Sequence, residues 1–89
     1  MVSESDKAKI IDLAERYHAK KVLLFGSSAL PDREGEDIDL AVEGVPDSLF
    51  FRFYGELIFS LSKSVDLVDL RKPSKFTTMI LAEGLPLYG

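Results

Sequence analysis

The feature that most constrains the fold is an apolar segment that ends abruptly at a glycine. Residues 21–25 read KVLLF, a run typical of a strand that is buried on both faces. Gly26 ends this run, and a second strand follows at 37–42, with Ile38, Leu40 and Val42 on one face and Asp37 and Asp39 on the other. A chain in which such strands alternate with helical segments predicts an α/β (α+β) domain with a small sheet flanked by helices.

Length and composition set the class of protein. The chain has 89 residues and 46% hydrophobic content, so we expect a single folded domain over residues 1–89. Fifteen acidic residues and 11 basic ones give a net charge of −4, which argues against direct nucleic-acid binding. There are no cysteines, so disulfides and thiolate metal sites are excluded. No signal-like or membrane-spanning segment is visible, and we expect a cytoplasmic protein.

The remaining elements follow from apolar spacing and from residues that begin or end helices. A first helix can be capped by Ser3 or Ser5, with Ile10, Ile11, Leu13, Ala14 and Tyr17 as its buried stripe. A turn at 44–46 leads to a long helix over about 48–62, capped by Asp47 or Ser48, and a third strand is predicted at 65–70. Ser74 can cap a last helix that Gly84 ends, and 85–88 can add a short edge strand.

The helix over 48–62 is apolar around most of its circumference. A small domain covers one face of such a helix easily, but hardly both. Two interpretations stay open: the outward rings pack under loops and the last helix, or the face around Phe51, Gly55 and Ile58 docks a partner protein or a second copy of the chain.

Carboxylates on two of the strands suggest a metal site. Asp37 and Asp39 are two residues apart on one strand, so both project from the same face. Hard oxygen ligands of this kind suit Mg²⁺, which completes its shell with phosphates and water. Asp66 and Asp69 lie on opposite faces of the third strand, and we choose Asp66 as the third ligand. Two Mg²⁺ ions would then stabilise the attacking and leaving oxygens of a phosphoryl displacement.

The turn after the first strand can hold a phosphate. Gly26 lets the main chain approach an anion closely, and the Ser27 hydroxyl can donate to it. Ser28 and Ala29 can begin a short helix that faces the same anion. Either signal alone is more often structural, and it is their order along the chain that favours a nucleotide site.

These residues resemble the signature of the minimal nucleotidyltransferases of the DNA polymerase β superfamily. The likeness rests on Gly26-Ser27, Asp37-Ile38-Asp39-Leu40 and Val65-Asp66-Leu67-Val68 and covers nearly the whole chain. It implies a mixed sheet flanked by helices, ATP phosphates at Gly26, Ser27 and Ser28, and metal at Asp37, Asp39 and Asp66. It also implies a HEPN-type toxin as partner, with AMP transferred from ATP to that toxin by its antitoxin.

The match departs from the family pattern at one notable position. Leu30 stands where the family often carries an arginine, and Arg33 is the candidate to replace it. Three functions therefore remain: a Mg²⁺-dependent transferase acting on a hydroxyl of a partner protein, a catalytically silent antitoxin that docks through the helix over 48–62, and a nucleotide-binding regulatory subunit. Association with a second copy is compatible with each.

Overall fold

The computed structural model describes residues 2–29 and 37–89. In chain order the elements are α1 (Glu4–Arg16), β1 (Lys21–Leu24), a single 3₁₀ turn (Gly26–Ala29), β2 (Asp37–Glu43), α2 (Asp47–Ser60), β3 (Ser64–Asp69), α3 (Lys75–Glu83) and β4 (Leu85–Tyr88). Helices and strands alternate as predicted, and most boundaries agree with the sequence-based ones within two residues. The predicted loop at 31–36, with Leu30 and Arg33, lies outside the described residues.

The four strands form one mixed sheet in the order β3-β2-β1-β4. β1 pairs antiparallel with both β2 and β4, while β2 and β3 run parallel. The parallel pair sets Asp39 directly opposite Asp66. β4 is the short edge strand that the sequence predicted, and β3 forms the other edge.

Helices cover both faces of the sheet. α1 and α2 bury the larger core, in which Val22, Leu24 and Leu40 from the sheet meet Phe53 and Leu57 of α2. On the opposite face a smaller cluster holds Leu23, Ala41, Leu70 and, from α3, Ile80. β1 therefore contributes side chains to two cores, as its continuous apolar run predicted.

The helix ends follow local capping chemistry, with one correction. Ser3 accepts a hydrogen bond from the Asp6 N–H at the start of α1, and Ser74 forms a reciprocal capping box with Thr77 at the start of α3. The predicted cap of α2 is wrong. Its N-cap is Pro46, without a side-chain bond, because the Asp47 carboxylate pairs with Arg71 instead.

Two predictions of burial also need correction. Ile11 lies outside the buried stripe of α1, because α2 covers only the Ile10, Leu13 and Ala14 side of that helix. On α2, the interpretation that the outward rings are covered is wrong for Phe51 and Phe59, which are 83% and 93% exposed. None of the helices in the described ranges could cross a bilayer, since the longest has 14 residues and about 20 are needed.

Candidate active site

The strand register gathers three carboxylates at one end of the sheet. Asp37 and Asp39 alternate with Ile38 and Leu40, whose side chains enter the core under α1 and α2. The two carboxylates therefore lie on the opposite face, the one that α3 covers farther along the strands. Asp66 is the register partner of Asp39 and shares that face, as the sequence predicted.

Asp39 is the electrostatic centre of this group. Burial raises the pKa of its carboxyl, and the negative charges of Asp66 and Asp37 raise it further, together with a side-chain hydrogen bond to Asp66. Each cause disfavours the ionised form, so the apo site holds its negative charge at a cost. A cation at this position would remove that cost.

Gly26 is the residue that leaves room above Asp39. Its φ is +58°, a left-handed conformation that glycine adopts without strain. A Cβ built on Gly26 would lie 2.7 Å from Asp39 Oδ2, closer than any two such atoms can approach. The turn after β1 and the carboxylate of β2 thus meet, with only a glycine between them.

Ser28 is the positioning residue that sequence reasoning did not assign. Its buried Oγ accepts a hydrogen bond from the Asp39 N–H at 2.9 Å and donates to the Asp37 carbonyl at 3.4 Å. The hydroxyl therefore holds the first residues of β2 against the 3₁₀ turn. A predicted nucleotide contact of Ser28 has to come from its main chain, since the side chain is already engaged. No periodicity reveals a bond of this kind.

The donor set fits a hard divalent cation, although the side chains do not form a closed cage. In residues 2–29 and 37–89, no three His, Cys, Asp or Glu side chains are arranged to hold an ion by themselves. Mg²⁺ commonly uses one or two carboxylates and takes its other ligands from water and substrate phosphates. The contacting pair Asp39 and Asp66, with Asp37 next to them, suits that mode of binding. The three-carboxylate metal site stays a prediction.

The other candidate residues take structural places. Asp69 lies on the opposite face from Asp66 and accepts hydrogen bonds from the main chain and side chain of Arg71, which also pairs with Asp47. Burial alone would raise the pKa of Asp69, but the hydrogen bonds from Arg71 outweigh it and hold that pKa below its usual range. His18, which follows α1 with a φ of +65°, is exposed.

A cleft of about 340 Å³ opens beside Gly26 on the α3 side of the sheet. Phe25, Ala29 and Met79 line it, and Glu83 supplies a carboxylate at its border. Space for a ligand thus adjoins the glycine turn.

Comparison with known proteins places this geometry in a family. The sequence model described as "Polymerase beta, Nucleotidyltransferase" matches residues 8–89. No curated protein is similar enough to the chain to match significantly.

Solved structures with the same fold come from toxin–antitoxin complexes. A chain of a toxin–antitoxin crystal structure with AMP-PNP has a TM-score of 0.75 and 29% identity, over 93% of this chain and 73% of that one. A chain of an MntA–HepT complex scores 0.73 at 27% identity, over 98% and 73% of the two chains. A third, from Shewanella oneidensis, is described as a tri-AMPylated HEPN toxin in complex with MNT antitoxin, and scores 0.71 at 29% identity over 94% and 70%.

The family match covers most of the chain, over residues 8–89. This chain belongs to the polymerase β nucleotidyltransferase family.

Proposed function

We propose that the protein is an antitoxin that transfers AMP from ATP to a hydroxyl of a HEPN-type partner protein, in the cytoplasm, where ATP is supplied. The family supports the class of reaction. The AMP-PNP complex and the AMPylated HEPN toxin among the similar structures support the nucleotide and the kind of acceptor.

In the proposed reaction the acceptor oxygen attacks the α-phosphorus of ATP. A new P–O bond forms, the bond to the β-phosphate oxygen breaks, and pyrophosphate leaves with the electron pair. Gly26 and Ser27 hold the triphosphate through main-chain and hydroxyl donors, and Ser28 keeps β2 in place beneath it. Asp66 takes the proton of the acceptor hydroxyl, because it lies on the edge strand where a second substrate has access.

Asp37, Asp39 and Asp66 are the residues that would hold Mg²⁺. When bound, the metal supplies Lewis-acid stabilisation of the charge that develops on the phosphate oxygens. The chain's own contribution is the fixed spacing of the carboxylates, which the strand pairing of β2 and β3 sets.

A single observation carries this proposal: Asp39 touches Asp66 across two paired strands, and the Gly26 turn closes against the same carboxylate. The turn that we propose holds the phosphates and the carboxylates that we propose hold the cation thus lie at one end of the sheet. A site for a phosphate alone would not require carboxylates beside the turn, and a site for a cation alone would not require the glycine turn.

The proposal is tested by incubating the purified protein with Mg²⁺, α-labelled ATP and extract of its source cell, beside Asp39→Asn and Asp69→Asn. We expect label on one protein band with the wild type and Asp69→Asn, and none with Asp39→Asn. The band should prove to be a HEPN-domain protein that carries AMP on a side-chain hydroxyl. Full activity of Asp39→Asn would refute the site assignment, and no labelled protein with any form would refute the transferase.

A second candidate function, neutralisation by docking alone, is favoured by the outer face of α2, formed by Phe51, Gly55, Ile58 and Phe59. Ile58 is 55% exposed and the two rings are almost fully exposed, which is unusual for a folded domain that remains alone. We propose that this outer face of α2 binds the HEPN partner whether or not the site is active.

Charge placed on this face tests the docking. Phe51→Glu and Phe59→Glu should abolish co-elution with the partner while leaving the thermal transition of the isolated chain unchanged. Leu81→Glu, at an apolar position on α3 that is 47% exposed, is the control for added charge and should keep the complex. A complex that survives both phenylalanine variants places the interface elsewhere.

A further inference from the structure

A groove of about 450 Å³ follows the open edge of the sheet at β3, where its lining begins at Leu67, the residue after Asp66. We call it the edge groove, and its lining includes Phe50, Leu67, Val68, Lys72, Pro73 and Phe76. Phe50 comes from α2 and Phe76 from α3, so the groove lies between the two layers of helices at the place where the strand edge emerges. Val68 is two residues beyond Asp66 and shares its face of the sheet.

Main-chain hydrogen bonds reveal which groups of β3 face outward. The Leu70 N–H donates to the Val42 carbonyl of β2, so residue 70, and by alternation 68 and 66, direct their main-chain groups inward. Residues 65, 67 and 69 direct theirs away from the sheet. Consistent with this, the Val65 carbonyl accepts a hydrogen bond from the Tyr54 hydroxyl of α2 at 3.0 Å.

The two ends of this edge are closed within the chain, and its middle is open. The Tyr54 hydroxyl donates a hydrogen bond to the Val65 carbonyl, and the Lys72 N–H donates one to the Asp69 carbonyl at 3.4 Å. Between them, the N–H and C=O of Leu67 face the edge groove without a hydrogen-bond partner in the described part of the chain. An unpaired strand edge in an apolar groove is a template for one more strand.

We propose that the edge groove binds the acceptor segment of the HEPN-type partner as an added strand beside β3. The inference rests on the proposed transferase function and names the place where its second substrate binds. An added strand pairs with the Leu67 main chain and lies about 4.8 Å from β3. Residues that face each other across paired strands have their Cβ atoms about 5 Å apart, so a hydroxyl side chain opposite Asp66 comes within reach of that carboxylate.

The groove fits this occupant better than a second copy of the chain. A flat, open edge would favour pairing of two β3 strands, but here Phe50 of α2 and Phe76 of α3 line the groove beside the strand, so the edge is not flat. Lys72 and Asp69 both line the groove, and Arg71 pairs with the Asp69 carboxylate, so the ammonium group of Lys72 can pair with an acidic residue of the partner segment. The outer face of α2 remains available to hold the folded body of the partner.

Amide hydrogen exchange tests the proposal on the unaltered protein. The probe is the partner protein that the α-labelled ATP experiment identifies, which is purified without label and added to the wild-type chain. We expect the exchange of the segment 64–70 to slow at least about tenfold in the complex, with the Leu67 amide most affected. Unchanged exchange in 64–70 while the outer face of α2 becomes protected would overturn the proposal.

A matched pair of variants tests the main-chain bond itself. Leu67→Pro removes the outward N–H, which an edge strand tolerates, and Leu67→Ala removes the same apolar side chain but keeps the N–H. We expect Leu67→Pro to label the partner at least about tenfold more slowly than Leu67→Ala at limiting partner concentration, with equal binding of Mg²⁺ and AMP-PNP. Equal labelling by the two variants would overturn the proposal.

The outcomes separate this inference from the function on which it rests. If the wild type labels no protein, the transferase is refuted and the groove assignment falls with it. If the wild type labels the partner but segment 64–70 exchanges freely, only the groove assignment falls. Light scattering on Leu67→Pro without partner measures self-association. A difference from the wild-type chain would assign the strand edge to a second copy and would also overturn the groove assignment.

Discussion

The Asp39 carboxylate is partly withdrawn from water and lies beside Asp66 and Asp37, so its pKa is raised. An acid whose pKa is higher in the folded state stabilises the fold below its unfolded pKa of about 3.9, and that contribution is lost as pH rises through the folded pKa. At neutral pH the ionised group therefore opposes folding in the absence of a cation. Asp39→Asn should raise the melting temperature by a few degrees at pH 7 without Mg²⁺.

Calorimetry in EDTA at pH 7 and at pH 3 checks this expectation. The advantage of Asp39→Asn should shrink at the acidic pH, because wild-type Asp39 takes up its own proton there. A variant less stable than the wild type at pH 7 would mean that the carboxylate makes a stabilising contact in the folded chain.

Asp66 and Asp69 provide a matched comparison on one strand, because they are three positions apart and face opposite sides of the sheet. The pKa of Asp69 is lowered by Arg71, so its ionised form stabilises the fold above the unfolded pKa, and this is lost as pH falls through the folded pKa. Asp69→Asn should lower the melting temperature at pH 7, by an amount that shrinks as pH falls below the unfolded pKa of about 3.9, and should keep transfer. Asp66→Asn should do the opposite: keep or raise stability and lose transfer. Melting curves and partner labelling on both variants decide, and loss of transfer in Asp69→Asn alone would reverse the assignment.

At the scale of single elements, α2 combines a buried face with an unusual interior glycine. A Cβ at Gly55 would meet no atom within 4 Å, and helix-interior glycine costs about 1 kcal/mol relative to alanine. Gly55→Ala should therefore stabilise the isolated chain by about 0.5–1 kcal/mol in chemical denaturation. If the outer face of α2 docks closely, the added methyl should also weaken the complex with the partner.

Gly84→Ala is the control for this comparison. A Cβ at Gly84 would lie 2.6 Å from the Ile80 carbonyl and press on Leu23, so this variant should lose stability. Equal effects of the two alanine variants would contradict the view that packing, rather than helix propensity alone, distinguishes the two positions.

Most elements could be predicted from local patterns, and the failures share a cause. The doubly buried β1, the alternation in β2 and the Ser74 cap depend on neighbouring residues, so short-range periodicity and capping rules reveal them. The cap of α2 failed because Arg71, 24 residues away, pairs with the Asp47 carboxylate. Likewise Asp6, in the first turn of α1, is buried and accepts hydrogen bonds from Ser62, 56 residues away, which no local pattern predicts.

The candidate site likewise combines features set by neighbouring residues with features set by contacts between distant parts of the chain. Strand parity predicted that only one of Asp66 and Asp69 can face Asp37 and Asp39, whereas the register of β2 with β3 places Asp66 opposite Asp39. That Gly26 lies against Asp39, and that Ser28 fixes β2, depended on how the 3₁₀ turn folds back on the sheet. The free edge of β3 required the strand order, which no local pattern contains.

At the scale of the whole molecule, the charge balance makes metal and nucleotide depend on each other. The chain carries a net charge of −4, and Asp37, Asp39 and Asp66 lie beside the glycine turn at which we propose that a triphosphate binds. ATP without a cation is repelled by this field, while Mg²⁺ without phosphates lacks most of its ligands.

We therefore expect that Mg²⁺ alone, at about 5 mM, shifts the melting temperature by no more than about 2 °C, and that AMP-PNP alone does the same. With both ligands present, and AMP-PNP at about 100 times its Kd in the presence of Mg²⁺, the melting temperature should rise by about 10 °C or more. The reason is that a ligand stabilises the folded state only to the extent that it binds it, and here each ligand completes the site of the other. Differential scanning fluorimetry on a grid of the two ligands measures the coupling. Asp39→Asn should abolish the combined shift. Asp69→Asn leaves Asp37, Asp39 and Asp66 unchanged and should retain the shift. A full shift with AMP-PNP in EDTA would show that the glycine turn binds phosphates without a metal and would remove the carboxylates from nucleotide binding.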